Sequence, residues 1–258
     1  GGLIRPGHLV PGSAMAGRVE AVGAEVTTLR PGDEVFGETT SGAFAEYVVV
    51  RADRLAPKPR NQSFEEAAAT PWAVTPLQAL RDAGVVKAGH RVVINGASGG
   101  VGSWGVQIAK TFGAHVTAVC STRNVARRRA LGADDVIDYT TTDFVTGGPR
   151  FDVMLDTVGN RSLLDCRRVL VPTGTLVSTS GGSSGLRWLR RLAAMILISS
   201  VSSRKLKPFI VALDQKDLLV LKELVEAGKA RPAIDRLYPL RDTADALRHV
   251  REGDAQGQ

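Results

Sequence analysis

One short stretch constrains this chain more than any other, because a run of aliphatic residues opens directly into a turn rich in glycine. It is VVINGASGGVG, residues 92–102. Gly96, Gly99 and Gly102 are spaced three apart, between a strand pattern and a helix pattern. In such a unit, glycines permit the tight turn, the approach of a pyrophosphate to the backbone, and close packing of the helix. The stretch therefore predicts a dinucleotide-binding site.

The chain after residue 76 alternates between strand and helix patterns. Strands are predicted at 91–94, 115–120, 135–139, 151–159 and 174–180, and helices at 101–113, 124–132 and 161–170. Aliphatic strands joined by helices form a parallel sheet covered on both faces, through right-handed crossovers. The predicted fold class is α/β, with a doubly wound Rossmann sheet.

Residues 13–60 have a different pattern, with short β segments and frequent glycine. Strands are predicted at 16–23, 30–37 and 42–50, which together are typical of part of a small antiparallel barrel. Ser63 and Glu66 have capping-box spacing at the start of a helix over 63–70.

The last third of the chain is mostly helical in pattern. Amphipathic helices are predicted at 217–229 and 243–253. Residues 185–212 mix arginine with aliphatic residues, which favours a helix at a domain junction or subunit interface over one lying on a membrane surface.

Composition sets outer bounds on the class of protein. The net charge of +7 favours an ordinary basic surface over a nucleic-acid partner. Cys120 and Cys166 form neither a disulfide framework nor a zinc motif, so reduced thiols and a cytoplasmic location are expected. No signal peptide is recognised, and the apolar run 192–201 is too short to span a bilayer.

The residues after the second predicted strand indicate which nucleotide binds. A site for NAD needs an acidic residue there to accept hydrogen bonds from the ribose 2′-hydroxyl. No acidic residue stands between Val116 and Arg129, whereas Ser121, Thr122 and Arg123 offer hydroxyls and a guanidinium. These groups favour a 2′-phosphate, and hence NADPH. The alternative is that Arg123 only solvates a helix start.

Several motifs occur in a telling order: VPGSAMAGRVEAVGAEV, RPGDEVFG, GAFAEYVVV, the glycine turn, LGADDVIDY and FDVMLDTVG. Together they resemble the zinc-free quinone oxidoreductase branch of the medium-chain dehydrogenase/reductase superfamily, which is zeta-crystallin-like. The resemblance covers about residues 9 to 256. It implies NADPH-dependent hydride transfer to a quinone or an α,β-unsaturated carbonyl, in a homodimer without membrane or nucleic-acid partners.

The resemblance also implies an arrangement of domains and a set of cofactor-binding residues. Residues 1–75 would form a partial GroES-like barrel, 76–213 the Rossmann domain, and 214–258 a return to the barrel, with the cofactor in the cleft between domains. The expected cofactor-binding residues are Thr75, Asn95, Ala97, Ser98, Gly99, Gly100, Val101, Ser121, Thr122, Arg123, Tyr139, Thr157, Val158, Ser180 and Gly181. Tyr139 has the alternative role of an aromatic cap on a strand end.

The sequence also departs from the family. Zinc-dependent relatives have a Gly-His-Glu run where this chain has PGSAMAG, residues 11–17, and its four histidines are scattered: His8, His90, His115 and His249. No metal site is therefore expected. Barrel strands of the family before residue 11 and a strand after residue 258 have no counterpart here, so no catalytic acid or base is assigned. The alternatives are a non-catalytic NADPH sensor or nucleic-acid-binding relative, and an enoyl-reductase module of a larger synthase.

Overall fold

The computed structural model of the chain describes residues 10–180, 185–200, 202–252 and 257, with the backbone alone at 185–188. The chain forms two compact units. One takes in the chain up to Val74 and again from Ala212, and the other is Thr75–Val211. None of the helices in the described ranges is long and apolar enough to cross a membrane.

The regular elements of the described residues follow in chain order. The strands are β1 (Ala14–Arg18), β2 (Glu34–Glu38), β3 (Leu55–Pro57), β4 (Arg91–Asn95), β5 (His115–Cys120), β6 (Asp135–Asp138), β7 (Phe151–Asp156), β8 (Leu170–Ser178) and β9 (Lys205–Pro208). The α-helices are α1 (Phe64–Ala69), α2 (Val74–Gln78), α3 (Gly100–Thr111), α4 (Val125–Ala130), α5 (Leu163–Arg168), α6 (Gly185–Ser200), α7 (Gln215–Glu226) and α8 (Thr243–Arg251).

In the first unit, β1, β2 and β3 form an antiparallel sheet in that order. Helix α1 begins with the predicted capping box: Glu66 N donates to Ser63 Oγ, and Ser63 N donates to Glu66 Oε2. The returning chain is tied to this unit by α7, where Asn61 Nδ2 donates to the Val225 carbonyl at 2.9 Å and Arg60 N donates to Glu226 Oε1 at 2.9 Å.

The strand predictions in this unit were partly wrong. β1 ends at Arg18 rather than at residue 23, and residues 42–50 form no strand. This segment is rich in β-formers, yet Tyr47 and Val49 are exposed. Its backbone bonds instead run from Ala43 N and Phe44 N to residues 11 and 12. A strand needs a neighbouring strand to pair with as well as residues of high β-propensity. None of the described residues supplies such a strand here.

The second unit confirms the predicted doubly wound sheet. Its six parallel strands lie in the order β6-β5-β4-β7-β8-β9, which places the first strand of the unit, β4, in the interior of the sheet. Chain order reverses on either side of β4, and ligands of open α/β sheets bind outside the carboxyl ends of the strands at such a switch point.

Several boundaries and one strand in the second unit differ from prediction; β8, for example, begins at Leu170 rather than at residue 174. β7 ends at Asp156 and β8 ends at Ser178, each earlier than expected. β9 was missed inside the segment 185–212, where only a helix was expected. Its sequence KLKP carries a single buried side chain, Leu206, so pairing with β8 decides its conformation more than its own pattern does.

The core of the second unit lies around its sheet. Fully buried side chains include Ile94 and Leu155 on adjacent strands and Trp104 on α3. Gly105 lets α3 pack on this pair, because a Cβ there would lie 3.1 Å from Leu155 Cδ2. Both cysteines are buried free thiols, and burial raises the pKa of Cys166 to about 12.

Candidate functional site

The parallel register brings most of the predicted site residues to one edge of the sheet. Asn95 lies opposite Val119 and Asp156, and Cys120 lies opposite Asp138. Asp156 in turn lies opposite Ser178. The residues that follow these strands therefore leave the sheet at its carboxyl edge, on both sides of the switch point at β4.

The three glycines of the turn have distinct surroundings. Gly96 has a φ of +84°, and a Cβ there would overlap Thr157 Oγ1 and Val158 Cγ2. A Cβ at Gly102 would overlap the Gly96 carbonyl oxygen and lie 2.7 Å from Ala97 Cα. Gly99 is open by contrast, its Cβ position having a nearest atom at 3.8 Å. Contacts within the protein therefore require glycine at 96 and 102, whereas the space beside Gly99 is open to a ligand.

The turn offers unpaired backbone donors to an anion. α3 begins at Gly100, and the first N–H groups of a helix have no partner within the helix. Gly99 N is already used, since it donates to the Gly96 carbonyl at 3.2 Å. On the helix side of Gly99, the available amides are those of Gly100 and Val101, at the positive end of the helix dipole. An open glycine beside free amides fits the diphosphate of a dinucleotide.

The side of the site predicted to bind the adenosine lies beyond β5 and β6. Ser121 precedes the short 3-10 turn Thr122–Asn124, and Tyr139 N donates to the Cys120 carbonyl at 3.0 Å. This bond places the start of the Tyr139 segment beside Ser121. Arg123 and Tyr139 are both exposed, Tyr139 by 54%. The predicted 2′-phosphate residues are thus brought to one edge.

A carboxylate that the sequence analysis missed lies on this side. Thr122 Oγ1 donates to Asp138 Oδ2 at 2.5 Å, and Thr140 Oγ1 donates to Asp138 Oδ1 at 2.7 Å. Hydrogen bonds from the hydroxyl of Thr122, which has the larger effect, and from that of Thr140 lower the pKa of Asp138. The carboxyl group is therefore ionised at neutral pH. The acidic residue of an NAD site was expected at the end of β5. Asp138 instead comes from the end of the paired strand β6.

The side of the site predicted to bind the nicotinamide is organised around a buried carboxylate. Asp156 has no exposed surface. Its Oδ1 accepts from Asn95 Nδ2 and from Gly159 N, both at 2.9 Å, and its Oδ2 accepts from Arg191 Nη2 at 3.1 Å. These bonds fix the turn that carries Thr157 and Val158. The sequence signal for this residue is an aspartate directly after the apolar run 153–155.

The remaining predicted residues are placed as follows. Asn95 is 3% exposed, and its amide donates to Asp156 and Asn160, so the side chain joins strand ends. Ala97 is buried and offers only its backbone. Thr157 Oγ1 donates to the Asn95 carbonyl, and Ser180 Oγ lies 3.0 Å from Ser178 Oγ.

Thr75, half-buried on α2, is the first residue of the second unit. Ser98 is half-buried in the turn. Gly181 lies outside the described residues.

Across the described ranges, no group of three or more His, Cys, Asp or Glu residues is placed to hold a metal ion. His115 Nε2 lies 2.7 Å from Asp135 Oδ2, and His249 Nε2 lies 2.9 Å from Asp235 Oδ2. His90 accepts from Lys87 N at 3.4 Å, and His8 lies outside the described residues.

Comparison with known proteins gives matches along most of the chain. A family model for the alcohol dehydrogenase GroES-like domain matches residues 2–60, and one for zinc-binding dehydrogenase matches residues 131–258. The mouse (Mus musculus) protein NAD(P)H oxidoreductase RTN4IP1, mitochondrial, is 32% identical over 97% of this chain and 69% of its own length. The 2-methylene-furan-3-one reductase of Solanum lycopersicum is 32% identical over 96% of this chain and 62% of its own length.

A solved structure agrees with these matches. The quinone oxidoreductase from Coxiella burnetii superposes with a TM-score of 0.85 at 30% identity, covering 96% of this chain and 77% of that one. This chain spans about two thirds of the length of the mouse and tomato relatives.

A glycine turn at the switch point of a doubly wound sheet defines a dinucleotide-binding protein, and the relatives show that this one is an oxidoreductase with a nicotinamide cofactor. The chain belongs to the medium-chain dehydrogenase/reductase superfamily, among its quinone oxidoreductases and enone reductases.

Proposed function

We propose that this oxidoreductase uses NADPH to reduce a quinone or an α,β-unsaturated carbonyl compound, without zinc. The observation that carries the proposal is the edge formed by Ser121, Arg123 and Tyr139, three polar side chains beside a turn with free amides. The substrate class is supported by relatives named quinone oxidoreductase and 2-methylene-furan-3-one reductase. Residues 11–17, which contain neither His nor Glu, support independence from zinc.

Each group at the carboxyl edge has a distinct task in this proposal. The amides of Gly100 and Val101 bind the diphosphate, and Ser121, Arg123 and Tyr139 surround the 2′-phosphate. Thr157, Val158 and Ser180 lie along the nicotinamide ribose. When bound, NADPH supplies the hydride, and the protein supplies orientation and exclusion of water. A reduced quinone or an enolate can take its proton from water, so no protein acid is assigned.

Asp138 favours a second candidate cofactor, NADH. A carboxylate at this edge accepts hydrogen bonds from a bare ribose 2′-hydroxyl, and it repels a 2′-phosphate. Both of its carboxylate oxygens accept hydrogen bonds from hydroxyls of the protein, those of Thr122 and Thr140, and the exposed Arg123 supplies a cation at the same edge. We therefore give precedence to NADPH.

Titration of the protein with the two reduced cofactors tests this choice. We expect the Kd for NADPH to be at least about tenfold below that for NADH, because a guanidinium–phosphate contact contributes about 1.5–3 kcal/mol. Arg123→Ala should remove most of that difference, and Asp138→Asn should enlarge it. Arg129→Ala, an exposed change on α4, is the control. Tighter binding of NADH, abolished in Asp138→Asn, would assign the site to NAD.

Turnover separates the enzyme from its alternatives. NADPH oxidation is followed with a panel of quinones, alkenes conjugated to carbonyls, and aldehydes. Acceleration by quinones or enones supports the proposal, and acceleration by enoyl thioesters alone points to an enoyl-reductase module. Binding without turnover, together with salt-sensitive binding of RNA or DNA, favours the non-catalytic alternative.

Sedimentation of the same protein tests the proposed homodimer. The proposed cytoplasmic location rests on cysteine usage alone.

A further inference from the structure

A buried arginine lies under the glycine turn and has no role in the function proposed so far. Arg128 on α4 is 1% exposed, although its neighbours Arg127 and Arg129 on the same short helix are exposed. Fully buried arginines are rare unless they are paired with an acidic group. No carboxylate among the described residues forms an ion pair with Arg128, and its Nε has no hydrogen-bond partner there. Burial lowers the pKa of Arg128.

Within the described residues, Arg128 makes one hydrogen bond, and it reaches the turn itself. Nη1 donates to the Ala97 carbonyl at 2.7 Å. The peptide that follows Ala97 is trans, so its carbonyl and the N–H of Ser98 point in opposite directions. Since the carbonyl points to the guanidinium, the Ser98 N–H points away from it. This N–H has no acceptor within the part of the chain that the structure describes.

The bond also affects how strongly that amide donates. A peptide whose carbonyl accepts from a cation is polarised, and its N–H becomes a better donor. Ser98 immediately precedes Gly99, the open glycine of the turn, and the free amides of Gly100 and Val101 follow. Arg128 thus holds one more donor, in a residue that adjoins the others along the chain. Its own charge, buried without a counter-ion, is compensated when an anion occupies the turn.

We infer that Arg128 is a positioning residue for the dinucleotide: it orients the Ser98 amide toward the diphosphate, and the diphosphate serves as its counter-ion. The inference rests on the proposed cofactor function and adds to it a group that does not touch the ligand. It also accounts for a buried charge that costs stability in the cofactor-free protein.

The test compares Arg128→Met with the wild type and with Arg129→Met, a matched change at an exposed position of α4. We expect Arg128→Met to raise the Kd for NADPH about tenfold to a hundredfold. We also expect it to leave the Tm of the cofactor-free protein unchanged or higher, because a buried unpaired charge is removed. Arg129→Met should change neither. An arginine that only packs in the core would give the opposite pattern, a lower Tm with an unchanged Kd, and this result would overturn the inference.

A second variant keeps the inference testable if Arg128→Met does not fold. Arg128→Lys retains a charge that a buried amine loses as the pH rises, whereas arginine stays charged. The ratio of its Kd for NADPH to the wild-type Kd should therefore increase between pH 6 and pH 9. A ratio that stays constant with pH would contradict the role of the charge. Wild-type protein that binds neither NADPH nor NADH overturns the proposed function as well. If the wild type binds NADPH and Arg128→Met binds it with the same Kd, only the positioning role of Arg128 is overturned.

Discussion

Two aspartates occupy equivalent places in the second unit and have opposite surroundings. Asp138 ends β6 and Asp156 ends β7, both at the carboxyl edge of the parallel sheet. Asp156 is completely buried and is bonded to Asn95, Gly159 and Arg191. Asp138 is bonded to two exposed threonine hydroxyls. The comparison indicates that the position of a residue at a strand end brings it to the site. Its burial then indicates whether its hydrogen bonds stabilise the fold or whether it is exposed to a ligand.

The largest effect is expected from removing the buried member of the pair. Asp156→Ala leaves the Arg191 guanidinium without its carboxylate and the Asn95 amide without its acceptor. Breaking a buried ion pair in this way costs about 3–5 kcal/mol of unfolding free energy. Urea denaturation measures this loss, with Asp138→Ala as the paired change, whose midpoint at pH 7 should lie much closer to that of the wild type. Equal urea midpoints for the two variants would contradict the distinction between Asp138 and Asp156.

A smaller effect is expected at Asn95, and it sharpens the comparison on the buried side. Asn95→Ala removes a donor to Asp156 Oδ1 but leaves Arg191 in place. The expected loss is about 1–3 kcal/mol in the same urea titration. Asn160→Ala, at an exposed position, is the milder control. If Asn95→Ala instead left stability intact and weakened NADPH binding tenfold, its side chain would contact the cofactor directly.

The smallest effect concerns the exposed side and depends on pH. Hydrogen bonds from Thr122 and Thr140 lower the pKa of folded Asp138 below its ordinary value of 3.8. The stabilisation is therefore present above the unfolded pKa and disappears as the pH falls through the folded pKa. The stability difference between wild type and Asp138→Asn should shrink between pH 5 and pH 3. A difference that grew on acidification would mean that the carboxyl is not ionised in the folded protein.

Local sequence patterns predicted most of the second unit. The glycine spacing predicted the turn and its place between β4 and α3, because Gly96 and Gly102 are required by contacts within that same short segment. Ser63 and Glu66 likewise cap their helix through bonds three residues apart. Patterns of this kind depend on neighbours in the chain, so one sequence suffices to identify them.

Features that depend on distant residues escaped the sequence analysis. Asp138 reaches Thr122 only through the register of β5 with β6, and Arg191 reaches Asp156 from 35 positions along the chain. β9 forms because β8 offers it a ladder, and residues 42–50 lack one among the described residues despite their composition. Arg128, in the helix predicted over 124–132, is buried because α4 turns that one side chain under the glycine turn.

The seclusion of both thiols bears on the chemistry of conjugated ketones. Such compounds are soft electrophiles that alkylate thiolates, which are the nucleophilic form of cysteine. Cys120 and Cys166 lie in the interior, and desolvation raises the pKa of each, so both remain protonated and inaccessible. For the reaction proposed above, neither thiol is therefore available to an electrophilic acceptor.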